Sequence, residues 1–257
     1  MDIIPLPAFR DNYIWLVREG DQALVVDPGD AGPVLGYLAA EGLKLAAILV
    51  THHHADHVGG LARLRQACTA PVCGPFNEAI EGVDHPVGDG DTVGIDALGL
   101  TFDVLDVPGH TAGHIAYVCR SASPPILFCG DTLFSAGCGR LFEGTPAQLA
   151  QSLARLVALP DDTAVYCTHE YTLSNLAFAR AAEPHNPKRD AYTEHCAALR
   201  DAGRPTLPSS IGHEKAINPF LRCSQPGIID AVTAHTGQRP ADALACLAAL
   251  REWKNVF

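Results

Sequence analysis

No apolar stretch of the 257-residue chain approaches the roughly 18 consecutive residues of a membrane-spanning helix, so no membrane partner is expected. Cationic side chains are also scarce: 18 Lys and Arg face 29 Asp and Glu, a formal net charge of −11. Nucleic-acid binders need a cationic face to release the counterions condensed on phosphate backbones. A nucleic-acid partner is therefore disfavoured, and only a local basic site remains open. The nine cysteines are odd in number, include no C-x-x-C pair, and belong to a chain large enough to bury a core without staples, so they read as reduced thiols. The opening MDIIPLPAFRDNYIW has neither a cationic n-region nor a continuous apolar run. No secretory signal is expected from it, and a cytoplasmic location is. Internal repeats and low-complexity tracts are lacking as well. With 47% apolar and 18% charged residues, the composition is that of a globular protein.

What is present is an alternation of β-rich runs with helix-like segments. ALVVD (23–27), LAAILV (45–50), TFDVLDV (101–107), HIAYVC (114–119), PILFCGD (125–131) and AVYCTHE (164–170) read as strands. Residues 30–41, 58–67 and 146–158 read as helices, the last entered through Thr145 as N-cap with Pro146 in its first turn. This is an α/β pattern. Beyond about residue 172 the strand signals fade. Leu- and Ala-rich stretches at 172–182, 187–202 and 239–250 suggest helices separated by the proline-bearing linker RPTLPSSIG. Two units are expected, 1–172 and a smaller helical 173–257.

The chemistry concentrates in THHHADHVGG (51–60), which follows a strand directly. Ligand candidates there sit in the loop at a strand's carboxyl end, where α/β sheets usually place their sites. Three other strand ends repeat the arrangement, with His110 in PGH, Asp131 after Gly130, and His169 after Thr168. Imidazole and carboxylate together favour zinc, with iron or manganese possible. The donors His52, His54, Asp56, His57, His110, Asp131 and His169 exceed what one tetrahedral ion can use, so two divalent ions are the economical reading. Asp56 and His57 open the following helix and point one way, His52 and His54 point another, and Asp131 could bridge. A purification tag would be terminal and contiguous, whereas this cluster is internal and interrupted.

Other residues receive blander readings. His53 is expected to face outward or pack, and His114 to be structural or to support a ligand. His85, His185, His195, His213 and His235 are read as ordinary histidines, and Cys119, Cys129 and Cys167 as small buried core residues.

The T-H-x-H-x-D-H motif with the later His, Asp and His resembles the metallo-β-lactamase superfamily. That resemblance implies an αββα sandwich with a two-metal site on its edge. FRDNYIW (9–15), AGCGRLFEGT (136–145), THEYTLSNLAFA (168–179), NPFLR (218–222) and LREWKN (250–255) narrow it, over essentially the whole chain, to the glyoxalase II (hydroxyacylglutathione hydrolase) family. The family roles imply one metal held by His52, His54 and His110 and another by Asp56, His57 and His169. Asp131 and a hydroxide would bridge them, and Asp56 and Asp131 would serve catalysis. Arg140, Tyr171, Asn175, Arg251 and Lys254 would contact glutathione, Arg251 and Lys254 as exposed cations. Arg140 stands where the family often has Lys; Phe142 stands where a Tyr can donate a hydrogen bond, and is left out of the binding set. The implied reaction is hydrolysis of S-(2-hydroxyacyl)glutathione thioesters, typically S-D-lactoylglutathione, to D-lactate and glutathione, the second step of methylglyoxal detoxification, by a monomer. Two dications less two aspartates and one hydroxide leave about one positive charge, enough to draw an anionic substrate. Rival readings are a phosphodiesterase or nuclease with the same dinuclear core, and a persulfide dioxygenase with one iron on His52, His110 and Asp131. A closed metal-storage site fits less well, because the donor set suits an open coordination position.

Overall fold

The computed structural model describes residues 1–257. Six strands form a first sheet in sequence order: β1 (Asp2–Ala8), β2 (Asn12–Glu19), β3 (Gln22–Val26), β4 (Lys44–Leu49), β5 (Val72–Pro75) and β6 (His85–Val87). The first three pair antiparallel; β3 to β6 run parallel. The second sheet contains β7 (Thr92–Ile95), β8 (Leu100–Asp106), β9 (Ile115–Cys119) and β10 (Ile126–Gly130). A small hairpin of β11 (Leu133–Phe134) and β12 (Gly137–Cys138) follows, and then β13 (Ala164–Cys167) and β14 (Ser209–Ser210) complete the second sheet in the order β14-β13-β10-β9-β8-β7.

The nine helices are α1 (Ala31–Glu41), α2 (Ala55–Val58), α3 (Leu61–Ala67), α4 (Pro146–Val157), α5 (Thr172–Ala182), α6 (Pro187–Asp201), α7 (Ile211–Ile217), α8 (Pro226–Thr236) and α9 (Ala243–Val256). Strand β2 shows why the layers stack as they do. Tyr13, Trp15 and Val17 face the second sheet in one core with Phe102, Tyr117 and Phe128. Ile14 and Leu16 face the opposite way, packing with Val34 and Leu38 of α1 and Leu61 and Leu64 of α3. Both faces of the strand are therefore apolar, as period-two geometry requires of a covered strand. On the far side, Leu149, Leu153 and Leu156 of α4 join the larger core. Thr145 caps α4 through a reciprocal bond with Gln148. The result is an αββα sandwich with a smaller C-terminal helical part.

Several expectations need correction. The hairpin β1–β2 was not read as strands: β1 carries Pro5 and Pro7, which an edge strand tolerates, and β2 is buried on both faces and lacks alternation. The helix expected at 58–67 is two, α2 and α3, broken at Gly59 and Gly60. RPTLPSSIG is more than a linker, because Ser209 and Ser210 pair with Val165 and Ala164 of β13. Helices α7 and α8 lie outside the expected helices, and α9 begins at Ala243 rather than 239, its N-cap Asp242 accepting from the backbone N–H of Ala245 at 2.8 Å.

The turn after β3 packs against α2 so closely that a Cβ on Gly29 would lie 1.8 Å from the carbonyl oxygen of Asp56. Replacing Gly29 with Ala must displace the helix that carries Asp56 and His57. The expected cost is about 1–3 kcal/mol in denaturant unfolding, with weaker metal uptake; unchanged stability would show that the turn yields freely.

Candidate metal centre

The centre lies where β4, β8, β10 and β13 end, and backbone constraints bring those ends together. Thr51, the first residue beyond Val50, is pinned by Asp27: its N–H donates to Asp27 Oδ1 at 2.7 Å and its hydroxyl to Asp27 Oδ2 at 2.8 Å. Gly130 ends β10 at φ 48°, and any Cβ there would meet Thr51 Oγ1 at 2.3 Å and the His114 ring at 2.8 Å. Only glycine lets β10 deliver Asp131 beside the histidine loop.

From there the side chains converge. Nε2 of His52 lies 3.1 Å from Nδ1 of His54, which lies 3.0 Å from Nε2 of His110. Asp131 sits in the middle, with Oδ1 3.4 Å from His57 Nε2, and Oδ2 3.4 Å from His110 Nε2 and 3.3 Å from His169 Nε2. Asp56 Oδ2 is 3.7 Å from His57 Nε2 and 3.5 Å from His169 Nε2. Three overlapping donor groups result, His52–His54–His110, His52–His57–Asp131 and Asp56–His57–His169, each with ligand atoms within 4.8 Å of one another. All seven residues singled out in the sequence are brought together.

Each imidazole that offers Nε2 faces a polar atom with its other nitrogen. His110 Nδ1 lies 2.8 Å from the carbonyl of Arg140, His169 Nδ1 2.8 Å from Asp11 Oδ1, His57 Nδ1 3.0 Å from Asp27 Oδ2 and His52 Nδ1 3.1 Å from Thr51 Oγ1. Metal-binding histidines are held in this way, the outer partner fixing tautomer and ring orientation. Inside, ring nitrogens face one another at hydrogen-bond distance, while both ring nitrogens of His57 and Asp131 Oδ1 are buried without any hydrogen-bond partner. Such unpartnered polar atoms are costly unless a cation satisfies them. The residues present therefore fit a divalent metal.

The electrostatics agree. Burial, reinforced by His57 and His114, pushes His52 well below the usual imidazole range. Burial also lowers His54 and His110. At His57 and His169 burial is outweighed by carboxylates, chiefly Asp131, and both are raised, His169 to about 9. Asp131, despite its burial, is held far below the ordinary carboxylate range by His57 and His169. Without a cation, protons on the second group of imidazoles balance Asp131; a metal would take their place.

Residues not identified in the sequence support this arrangement. Asp27 and Asp11 orient ligands, and Asn12 Nδ2 donates to Asp56 Oδ2 at 2.9 Å. Asp27 closes the run ALVVD and could have been read as a strand-end acid like Asp131; Asp11 and Asn12 lie inside FRDNYIW. His114 stacks on His52 at 4.5 Å and 19°, and its Nε2 accepts from the Asp131 N–H at 3.1 Å. Cys119, Cys129 and Cys167 are fully buried in the core.

The centre opens into a cleft of about 720 Å³, and Arg140, Tyr171, Asn175, Arg251 and Lys254 all line it. Phe142, left out of the binding set, also lines it, its ring 5.5 Å from that of His54. Tyr171 stacks on His169 at 4.6 Å and 3°. One expectation is corrected: Arg251 is not an exposed cation but 5% exposed. It donates to the carbonyl of Cys138 at 2.8 Å and to Asn255 Oδ1 at 3.2 Å, over the ring of Phe220. Lys254 is half-buried, its Nζ 3.3 Å from the carbonyl of Ser174 and 5.4 Å from the Phe178 ring, and burial beside Arg251 lowers its pKa.

Comparison with known proteins gives a consistent picture. A model of the metallo-β-lactamase superfamily matches residues 8–169, and one of the hydroxyacylglutathione hydrolase C-terminus matches 170–257. Proteins named hydroxyacylglutathione hydrolase are similar over the full length: that of Chromohalobacter salexigens is 56% identical over 259 residues, and that of Albidiferax ferrireducens 57% over 259, each covering 100% of both chains. Among solved structures, ETHE1 from Myxococcus xanthus has a TM-score of 0.66 at 28% identity, covering 100% of both chains. TTHA1623 in a di-iron-bound form has a TM-score of 0.60 at 28% identity, covering 85% of this chain and 100% of that one.

Two outcomes are expected. Chelation should lower the melting temperature of metal-loaded protein, since an ion at a hundredfold its Kd stabilises by about 2.7 kcal/mol, and Asp131→Ala should abolish the difference. In the metal-free protein, His169, raised from 6.5 to about 9, contributes stability that is present below pH 6.5 and lost as pH rises through 9. Denaturant melts of chelated protein should weaken over that window; a flat profile would show that the proton is not held there.

Proposed function

Because the chain belongs to the hydroxyacylglutathione hydrolase family of the metallo-β-lactamase superfamily, we infer its reaction from that membership and from the cleft. It is a thioester hydrolase acting on S-(2-hydroxyacyl)glutathione, with S-D-lactoylglutathione the expected type substrate in methylglyoxal detoxification. One observation carries the reading: a single cleft joins the seven-donor centre to three cationic side chains, Arg140, Arg251 and Lys254. In a chain of charge −11, such a local positive wall suits the two carboxylates of glutathione.

We assign one metal to His52, His54 and His110, a second to Asp56, His57 and His169, and a bridging position to Asp131. Two divalent ions held there, most simply zinc, would acidify a water molecule to supply the nucleophile near neutral pH and would polarise the thioester carbonyl. The chain's own contribution is orientation. Asp11, Asp27, Thr51 and the Arg140 carbonyl fix the imidazoles before substrate arrives, so little reorganisation accompanies the reaction. Asp56 and Asp131, the two carboxylates on the cleft lining, would hold the ions and balance part of their charge. When the C–S bond breaks, the thiolate has a solution pKa of about 8.5 and can depart unprotonated. No separate strong acid is required. A single-iron centre on His52, His110 and Asp131 would leave His54, Asp56, His57 and His169 without a task, which favours the two-metal hydrolase. The reading further takes the protein to be a cytoplasmic monomer.

Metal-loaded protein should hydrolyse S-D-lactoylglutathione, followed as loss of thioester absorbance; absence of turnover, with activity on bis-p-nitrophenyl phosphate instead, would replace this reading with the phosphodiesterase one. Lys254→Ala should raise KM about fivefold, the equivalent of about 1 kcal/mol for a partly solvated ion pair, with kcat little changed. Arg251→Ala removes a buried bond to Cys138 as well and should lower the melting temperature, so Lys254 gives the cleaner measurement.

A further inference from the structure

One histidine of THHHADH has no place among the seven donors. His53, its ring 5.0 Å from that of His54, is 35% exposed in its side chain and stands between two carboxylates. Its Nδ1 lies 3.0 Å from Glu78 Oε2 and its Nε2 3.3 Å from Glu143 Oε1. Neither acid is casually placed. Glu78 is 3% exposed in its side chain; its Oε1 accepts from the Thr111 hydroxyl, and its buried Oε2 has no hydrogen-bond partner and faces the His53 imidazole. Glu143 accepts through Oε2 from the backbone N–H of Ala112 at 2.8 Å.

These contacts close a ring around the loop that carries His110. Glu78 grips Thr111 from one side, Glu143 grips Ala112 from the other, and His53 spans the two acids. The packing beneath is tight: a Cβ on Gly113 would meet Glu78 Cγ at 2.6 Å and the Asn77 carbonyl at 2.9 Å. The segment bearing Glu143 also bears Arg140, whose carbonyl holds His110 Nδ1 at 2.8 Å. The N–H groups of Phe142 and Glu143 in turn point at the His110 carbonyl, at 3.2 and 3.4 Å. The segments bearing Glu78 and Glu143 thus meet at one imidazole outside the cleft and between them hold the loop 109–113.

We infer that His53 is a positioning residue: by bridging Glu78 and Glu143 it locks the histidine loop to the His110 loop and so sets the geometry of the His52–His54–His110 group. His53 lies between two donors in the chain, so anchoring it restrains the backbone that carries His52 and His54. The Asp56–His57–His169 group has outer partners other than His53, namely Asn12, Asp27 and Asp11. Loss of His53 should therefore weaken one metal position and largely spare the other.

The inference rests on the metal-binding reading of the centre, and the experiment separates the two. Zinc(II) is titrated against a chromophoric chelator in the parent protein, His53→Ala, His53→Gln and Glu78→Ala, and cobalt(II) absorption reports the geometry of each position. The expected result is two ions in the parent and, in His53→Ala, one of them weakened ten- to a hundredfold, the range for lost outer partners of metal ligands. The cobalt spectrum should change at that position alone. His53→Gln, which keeps an N–H for one acid, should recover part of the loss, and Glu78→Ala combined with His53→Ala should weaken the ion little beyond either alone. Equal affinities in parent and His53→Ala, or equal loss of both ions, would overturn the positioning role while leaving the metal centre intact. A parent protein that takes up no zinc would remove both.

Discussion

A single buried carboxylate holds the site in register. Asp27 is 2% exposed, adopts φ 52° at the end of β3, and accepts from the Thr51 N–H and hydroxyl and, more loosely, from the Thr168 hydroxyl at 3.4 Å, while facing His57 Nδ1 at 3.0 Å. An ion removed from water to this depth persists only when its lone pairs are met. Meeting them obliges the ends of β3, β4 and β13 to come together. The geometry of the metal ligands is thus a consequence of solvating Asp27 from within. Glycine at 29 and at 130 is the steric counterpart, since in both places another chain segment occupies the space of a Cβ.

That arrangement also explains how a strongly acidic protein can present an attractive site to an anion. Net charge governs the distant field, whereas a partly enclosed cleft responds to the charges that line it. Here the lining holds two aspartates, both turned toward imidazoles, and three cationic side chains. Arg251 and Lys254 rest on Phe220 and Phe178. The aromatic floor limits their motion, so fewer conformations are given up when a carboxylate is bound.

Much of the site was legible in the sequence because its ligands obey a simple rule: a β-rich run, then His or Asp. That rule covers His52, His110, Asp131 and His169, and with them the α/β sandwich whose strand ends they occupy. The supporting residues obey no such rule. Glu78 sits in an irregular loop, and Glu143 and Asp11 look like ordinary surface acids until the fold places them against His53 and His169. Arg251 misled for the opposite reason: composition marks an arginine near the terminus as solvated, and only tertiary packing over Phe220 and against the Cys138 carbonyl buries it. β1 and β2 escaped notice because prolines at an edge and apolar residues on both faces each erase the alternation that announces a strand.

The helical part does more than close the cleft. It grips the hairpin that begins two residues after Asp131. Glu214 accepts from the Ala136 N–H at 2.8 Å, Asn218 donates to the carbonyls of Phe134 and Gly137 at 3.2 and 2.9 Å, and Arg251 donates to that of Cys138. Asn175 donates to the Ser135 carbonyl at 3.1 Å. The turn between β11 and β12 is two residues long, and these side chains brace it where Ala136 adopts φ 56°. Phe134 and Cys138 then form the cleft wall next to Asp131. The cleft wall and the carboxylate of Asp131 thus share one short segment, anchored from the C-terminal helices. β14, added to the edge of the second sheet by the same stretch of chain, fixes those helices to the sandwich. The cleft wall and the donor cluster are consequently shaped by one network of bonds, whose longest reach, from Arg251 to Cys138, spans 113 positions of the chain.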